Sequence, residues 1–207
     1  MTHPTPFSVC VYCGSRSGTD ALFVDAAQDC GRALARRGWQ LVYGGSSAGL
    51  MGAVADAALA GGSPAIGVIP HRLVQRELGH PGLTTLEVVG SMHERKHRMA
   101  QQSDAFVALP GGIGTLEEIF EIWTWRQLGY HGKPLGMLNV SGYFDDLLRF
   151  IEHSQAKGFL WPDVHELLLV DEDIERLLDR LHEQSVLLQA QTPPAPPGAV
   201  GGVSQDT

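Results

Sequence analysis

An apolar run, Ala105 to Leu109, passes without a linker into Pro110-Gly111-Gly112-Ile113-Gly114-Thr115-Leu116-Glu117-Glu118 and then into a segment of helical period. A strand that enters a helix directly through glycines is the repeating joint of a parallel α/β sheet. Glycines also let the backbone turn with positive φ and bring its N–H groups close to an anion, while the helix adds unpaired N–H groups and a positive dipole end. The joint is therefore where such a fold would hold a phosphate. Glu117 and Glu118 lie in the first helical turn, where carboxylates favour the helix electrostatically, so plain capping of a tight turn is the competing explanation.

The same alternation runs along the chain. Phe7 to Tyr12, Gln40 to Tyr43, Ala65 to Ile69, Thr85 to Val89, Ala105 to Leu109, Leu135 to Leu138 and Leu167 to Val170 read as strands. Between them, helical spacing covers Asp20 to Arg37, Leu50 to Leu59, a short helix and loop within His71 to Gly82, and a helix capped by Ser91 that runs to Gln102. Further helices are expected over Thr115 to Leu128, Phe144 to Ala156 and Asp171 to Leu188, with Asp171 or Asp173 capping the last. The pattern predicts one α/β domain over residues 1–190, a Rossmann-like doubly wound parallel sheet flanked by helices. Residues 191–207 are rich in proline and glycine and predict a disordered tail.

In open parallel sheets ligands sit beyond the carboxyl ends of the strands, near the point where strand order reverses. Three glycine-rich turns would converge there: Gly14 to Gly18, Gly44 to Gly49, and Gly111 to Gly114. Ser15 and Gly45 thereby join the candidate ligand contacts, although both turns also make sense as tight connections. No turn is a clean dinucleotide fingerprint or P-loop. Gly112-Ile113-Gly114-Thr115-Leu116-Glu117 has glutamate where a third glycine would pack helix on strand, and no G-K-[ST] sequence occurs.

The charge balance narrows the partners. A formal charge of -8 argues against broad binding to nucleic acid or anionic membranes, which needs clustered cations. No stretch of the sequence looks transmembrane or like a secretory leader, so a cytoplasmic protein is expected. Cys10, Cys13 and Cys30 are too few for a disulfide framework. Cys10 and Cys13 form a C-x-x-C spacing, but Cys10 falls inside a strand, where it fills the core more naturally than it does redox chemistry.

Within this acidic chain, Ser91-Met92-His93-Glu94-Arg95-Lys96-His97-Arg98-Met99 is a local basic cluster at the head of a helix. Arg95 and Lys96 could clamp an anion, or form a solvated helical face. His93 to His97 also matches H-E-x-x-H, the zinc hydrolase pattern. That reading needs a third ligand, for which Glu118 or His131 can be imagined but neither is selected by context, and two cations between the histidines would oppose a divalent ion.

Met92-His93-Glu94-Arg95-Lys96, followed by Pro110-Gly111-Gly112-Ile113-Gly114-Thr115-Leu116-Glu117-Glu118, resembles the paired M-H-x-R-K and P-G-G-x-G-T-x-x-E signatures of the LONELY GUY (LOG) family, the cytokinin riboside 5'-monophosphate phosphoribohydrolases. The likeness runs from Val9 to Leu181 and includes Tyr12-Cys13-Gly14-Ser15, Tyr43-Gly44-Gly45, Gly49-Leu50-Met51-Gly52 and Thr124-Trp125 with Gln127-Leu128-Gly129. Many relatives carry the label lysine decarboxylase, yet no lysine here recommends itself for pyridoxal phosphate.

The resemblance implies hydrolysis of a nucleoside 5'-monophosphate to free base and ribose 5-phosphate, with AMP as a further substrate. Gly111, Gly112, Ile113, Gly114, Thr115 and Leu116 would hold the phosphate. Glu118 is the implied catalytic carboxylate and Arg95 the second catalytic candidate. Lys96, Met92, Glu77, Glu117 and Thr124 complete the implied substrate contacts, with capping the competing explanation for Glu117 and helix packing for Thr124. No metal or organic cofactor is expected, and the family implies a homodimer, for which Trp123, Trp125 and Leu128 offer apolar surface or simply core. The alternative of a different class is a nucleotide carrier or sensor without catalysis. The second turn, Gly44-Gly45-Ser46-Ser47-Ala48-Gly49, departs from the usual family wording, which bears on the base accepted rather than on the reaction.

Overall fold

The computed structural model describes residues 6–77 and 79–191. Of the tail expected over residues 191–207, Gln191 is instead the last residue of a helix, and residues 192–207 lie outside the described residues, as does the side chain of Glu77. The elements follow in the order β1 (Ser8–Tyr12), α1 (Ala21–Arg36), β2 (Gln40–Tyr43), α2 (Gly49–Ala60), β3 (Ala65–Pro70), α3 (His71–Glu77), β4 (Thr85–Val89) and α4 (Met92–Gln101). The second half comprises β5 (Ala105–Ala108), α5 (Ile113–Gln127), β6 (Leu135–Leu138), α6 (Asp145–Ala156), α7 (Pro162–Glu166), β7 (Leu168–Asp171) and α8 (Ile174–Gln191).

All seven strands join one parallel sheet in the order β4-β3-β2-β1-β5-β6-β7. β1, β5 and β6 are buried along their whole length. That is why they read as short continuous apolar runs rather than as alternating ones. At one edge, β4 carries Thr85 and Glu87 and is mostly exposed.

Two layers of core cover the sheet. Cys30, Ala33 and Leu34 of α1, Val54 and Ala58 of α2, and Leu177 and Leu181 of α8 pack on one face. Met99 of α4, Ile119 and Trp123 of α5, and Ile151 of α6 pack on the other. Cys10 lies in the second layer, whereas Cys13 and Cys30 lie in the first. All three thiols are free. Burial pushes the Cys10 thiol up to about 12 and Cys13 well above its ordinary value, so neither is poised as a thiolate for exchange.

Some boundaries differ from expectation. The helix expected from Thr115 begins at Ile113, so Ile113 and Gly114 belong to its first turn and Glu117 and Glu118, expected there, fall beyond it. Asp20 is the cap of α1 and not its first residue, accepting a hydrogen bond from Leu22 N. Asp173, rather than Asp171, caps α8, through Arg176 N at 2.9 Å. α7 and a short turn over Val140–Gly142 carry no periodic signal and were not expected. Trp123 is core, with its indole N–H donating to the Val164 carbonyl at 3.0 Å, whereas Leu128 is exposed. No described helix is long and apolar enough to cross a membrane.

Candidate active site

Strand order reverses between β1 and β5, because the chain leaves β1 toward β2 and returns on its other side. Their carboxyl ends carry Gly14 and Gly111, and a cavity of about 670 Å³ opens there. The three glycine-rich turns meet at its rim. Gly14 N donates to the Pro110 carbonyl at 3.1 Å, and the Gly14 carbonyl accepts from Leu50 N and Met51 N of α2 at 3.0 and 3.3 Å.

Those bonds separate the turns by role. α1 is capped by Asp20 and α2 by the Gly14 carbonyl, which consumes their leading N–H groups. The N-cap of α5 is Gly112, which offers no side chain and makes no capping bond. The first N–H groups of a helix have no partner within it. α5 therefore presents Ile113, Gly114 and Thr115 to the cavity with donors and the positive dipole end available for an anion. Gly111 is required for this approach: a Cβ on it would lie 2.1 Å from Thr115 Oγ1 and 2.8 Å from Gly14 N.

Deeper in the cavity stand Arg95 of α4 and Glu118 of α5. Arg95 Nη1 donates to Glu118 Oε1 at 3.3 Å, and the two side chains are only 8 and 12% exposed. Arg95 is fixed from three sides, since Nε donates to the Val68 carbonyl at 3.0 Å and Nη2 to the Gly44 carbonyl at 3.3 Å. Gly44 is the space for this guanidinium: a Cβ there would sit 1.9 Å from Arg95 Nη2 and 2.4 Å from Met51 Cε. Arg95 is thus a buried member of the cavity wall, with Nε, Nη1 and Nη2 each donating once to the protein.

Lys96 turns the other way. Its Nζ donates to Glu117 Oε1 at 2.5 Å and Glu121 Oε1 at 2.9 Å. Burial alone would lower the Lys96 ammonium, but the hydrogen bonds it donates to both carboxylates outweigh this and hold the group above its ordinary value. Thr124 is exposed and donates to the Phe120 carbonyl at 2.7 Å, the ordinary helix bond for such a residue.

The structure therefore brings Ser15, Arg95, Gly111, Gly112, Ile113, Gly114, Thr115 and Glu118 to one cavity. Met92, Lys96, Leu116, Glu117, Thr124 and Gly45 are not part of its wall. Sequence reasoning missed Phe23 and Tyr143, which line it too and lie in no motif, whereas Met51, also in the wall, falls in the Gly49-Leu50-Met51-Gly52 motif but was not proposed as a contact. His93 and His97 are exposed on α4. Among the described residues no group of three or more His, Cys, Asp or Glu could hold a metal ion.

An uncapped helix at the switch point of a parallel sheet, facing a dry arginine–glutamate pair, defines an α/β protein of the class that can seat a phosphorylated small molecule and set a carboxylate against it. Sequence comparison makes the class specific. A family model described as "Possible lysine decarboxylase" matches residues 51–181. The chain is 47% identical over 175 residues to a cytokinin riboside 5'-monophosphate phosphoribohydrolase of Arabidopsis thaliana, covering 84% of this chain and 81% of that protein. It is likewise 47% identical over 175 residues to the rice (Oryza sativa subsp. japonica) protein of that name called LOG, covering 84% and 72%. The chain belongs to the LOG family. Among solved structures, the Moco carrier protein of Chlamydomonas reinhardtii shares the fold, with a TM-score of 0.66 at 22% identity over 88% of this chain and 99% of that one.

Proposed function

We infer that this chain hydrolyses the N-glycosidic bond of cytokinin riboside 5'-monophosphates, with AMP as a second substrate, to yield free base and ribose 5-phosphate. The curated relatives are named for the first of these reactions. The observation that carries the reading is that one cavity is lined both by an open helix N-terminus and by a buried Glu118–Arg95 pair. A carrier of anionic phosphate gains nothing from a buried carboxylate beside its ligand.

In this reading the 5'-phosphate rests on the first turn of α5, which leaves the ribose over the following turn, where Glu118 stands. Water adds its oxygen to the anomeric carbon, the bonding pair of the broken C–N bond leaves with the base, and the base takes up the proton. Positive charge develops on the ribose as that bond stretches, and a carboxylate already held in place stabilises it without reorganising. Glu118 also serves to orient the water. Arg95 holds the Glu118 carboxylate in position and balances its charge in a dry site. The enzyme works as a homodimer in the cytoplasm and needs neither metal nor organic cofactor.

The test is incubation of metal-free protein with isopentenyladenosine monophosphate and, separately, AMP, followed by chromatography. Free base together with ribose 5-phosphate is expected from each. Binding of either nucleotide by calorimetry without any cleavage would replace the enzyme by a carrier or sensor.

A further inference from the structure

Tyr143 follows the short turn Val140–Gly142 at the end of β6, and its hydroxyl donates to the Gly111 carbonyl at 2.6 Å. The ring is held edge-on between Phe23 and Phe144, with centroid separations of 5.4 and 4.8 Å. Beneath it, Phe144 N donates to Asn139 Oδ1 and Asn139 Nδ2 donates to Asp145 Oδ1, both at 2.8 Å. The backbone delivering Tyr143 passes through two left-handed residues, Ser141 at φ 49° and Gly142 at φ 74°. Ser141 is the one non-glycine residue of positive φ among those described. Such a conformation costs free energy and persists only where the surroundings over-determine it.

The carbonyl of Gly111 and the N–H of Gly112 belong to a single planar trans peptide and point in opposite directions. With glycine on both sides, no Cβ resists rotation of that unit. Gly112 lines the cavity; with the α5 turn read as the 5'-phosphate site, its N–H is a donor for that phosphate, and a flip would put the repulsive Gly111 carbonyl oxygen in its place. The hydroxyl of Tyr143, pinned by its aromatic neighbours, selects one of the two orientations.

We propose that Tyr143 is a positioning residue for the substrate phosphate, acting through the Gly111–Gly112 peptide, an assignment that rests on the reading of the α5 turn as the 5'-phosphate site. It touches neither the bond that breaks nor the Glu118–Arg95 pair. Its loss is felt by every ligand that carries the phosphate, whatever the base.

The experiment compares wild type with Tyr143→Phe, which keeps the ring and its packing, in calorimetric binding of ribose 5-phosphate and in steady-state cleavage of AMP. The variant is expected to bind ribose 5-phosphate about tenfold more weakly and to raise KM for AMP by the same factor, the weight of one hydrogen bond. Its kcat should stay within about twofold, because an interaction common to ground and transition states moves KM alone. Unchanged affinity and unchanged KM would overturn the assignment while leaving the glycosidase reading intact. A joint fall in kcat and melting temperature would also overturn it, in favour of a purely structural tyrosine. Should wild type bind ribose 5-phosphate yet release no base, weakened binding in the variant would sustain the Tyr143 assignment while the proposed reaction fell.

Discussion

Arg95 and Lys96 are neighbours on α4, and Glu117 and Glu118 are neighbours on α5, yet the ion pairs they form have opposite surroundings. The inner pair, Arg95 with Glu118, is dry and lines the cavity. The outer one sets Lys96 between Glu117 and Glu121, whose side chains are 49 and 23% exposed. Successive residues on a helix point about 100° apart. One step along each helix therefore moves a cation and a carboxylate from the cavity to the outer seam between α4 and α5. Under the proposed mechanism, removing half of the inner pair acts on chemistry, and removing the centre of the outer one acts on how firmly α4 is tied to α5.

The largest contrast should come from Glu118→Gln. It keeps the shape and hydrogen bonding of the side chain but removes its charge, and turnover of AMP should fall about a thousandfold or more while nucleotide binding by calorimetry persists. Unaltered turnover in the folded variant would end the mechanism proposed above. Gly44→Ala attacks the same pair by volume, since its Cβ would overlap Arg95 Nη2 and Met51 Cε. Displacement of the guanidinium should lower kcat/KM about a hundredfold, and overpacking should cost about 1–3 kcal/mol in urea unfolding. Normal kinetics here would mean that the precise seat of Arg95 is irrelevant.

Lys96→Met sharpens the comparison from the other side. Because solvent screens Glu117, the loss should be about 1 kcal/mol or less, with kcat for AMP within about threefold of wild type. A large loss of turnover would place Lys96 in the chemistry despite its position. The smallest effect is in pH dependence. Burial alone would lower the folded Lys96 ammonium, but the hydrogen bonds it donates to Glu117 and Glu121 outweigh this and hold it above its ordinary value. Its contribution is thus complete below the unfolded lysine value of about 10.4 and fades as pH rises through the higher folded value. Stability curves of wild type and Lys96→Met should run parallel from neutrality to about pH 10 and converge only beyond it.

Much of this was legible beforehand, and for identifiable reasons. The central strands are buried on both faces, so Val9 to Tyr12 and Ala105 to Ala108 stand out as uninterrupted apolar runs. Arg95 and Glu118 sit in long ordered motifs. The sites that escaped are those whose role depends on distant partners. Tyr143 stands 32 residues from the carbonyl it holds, and nothing local distinguishes it from a surface tyrosine. Asn139 and Ser141 build its platform through a turn without period. α7 is five residues long, too short to show a helical stripe.

By itself, the sequence determined the α/β class, the seven strands, the glycine-rich strand-to-helix turn and the family, and it singled out the paired catalytic candidates. These rest on local properties: apolar runs, glycine content and the order of residues within a motif. Tertiary structure alone decided that strand order reverses between β1 and β5, and that Gly14 consumes the N-terminus of α2 while α5 stays open. It also sent Arg95 inward to Glu118 and Lys96 outward to Glu117 and Glu121. The reason is that burial, charge pairing and the direction of a backbone donor are settled by atoms brought together from remote parts of the chain, and a linear pattern carries no record of which of two adjacent residues will meet them.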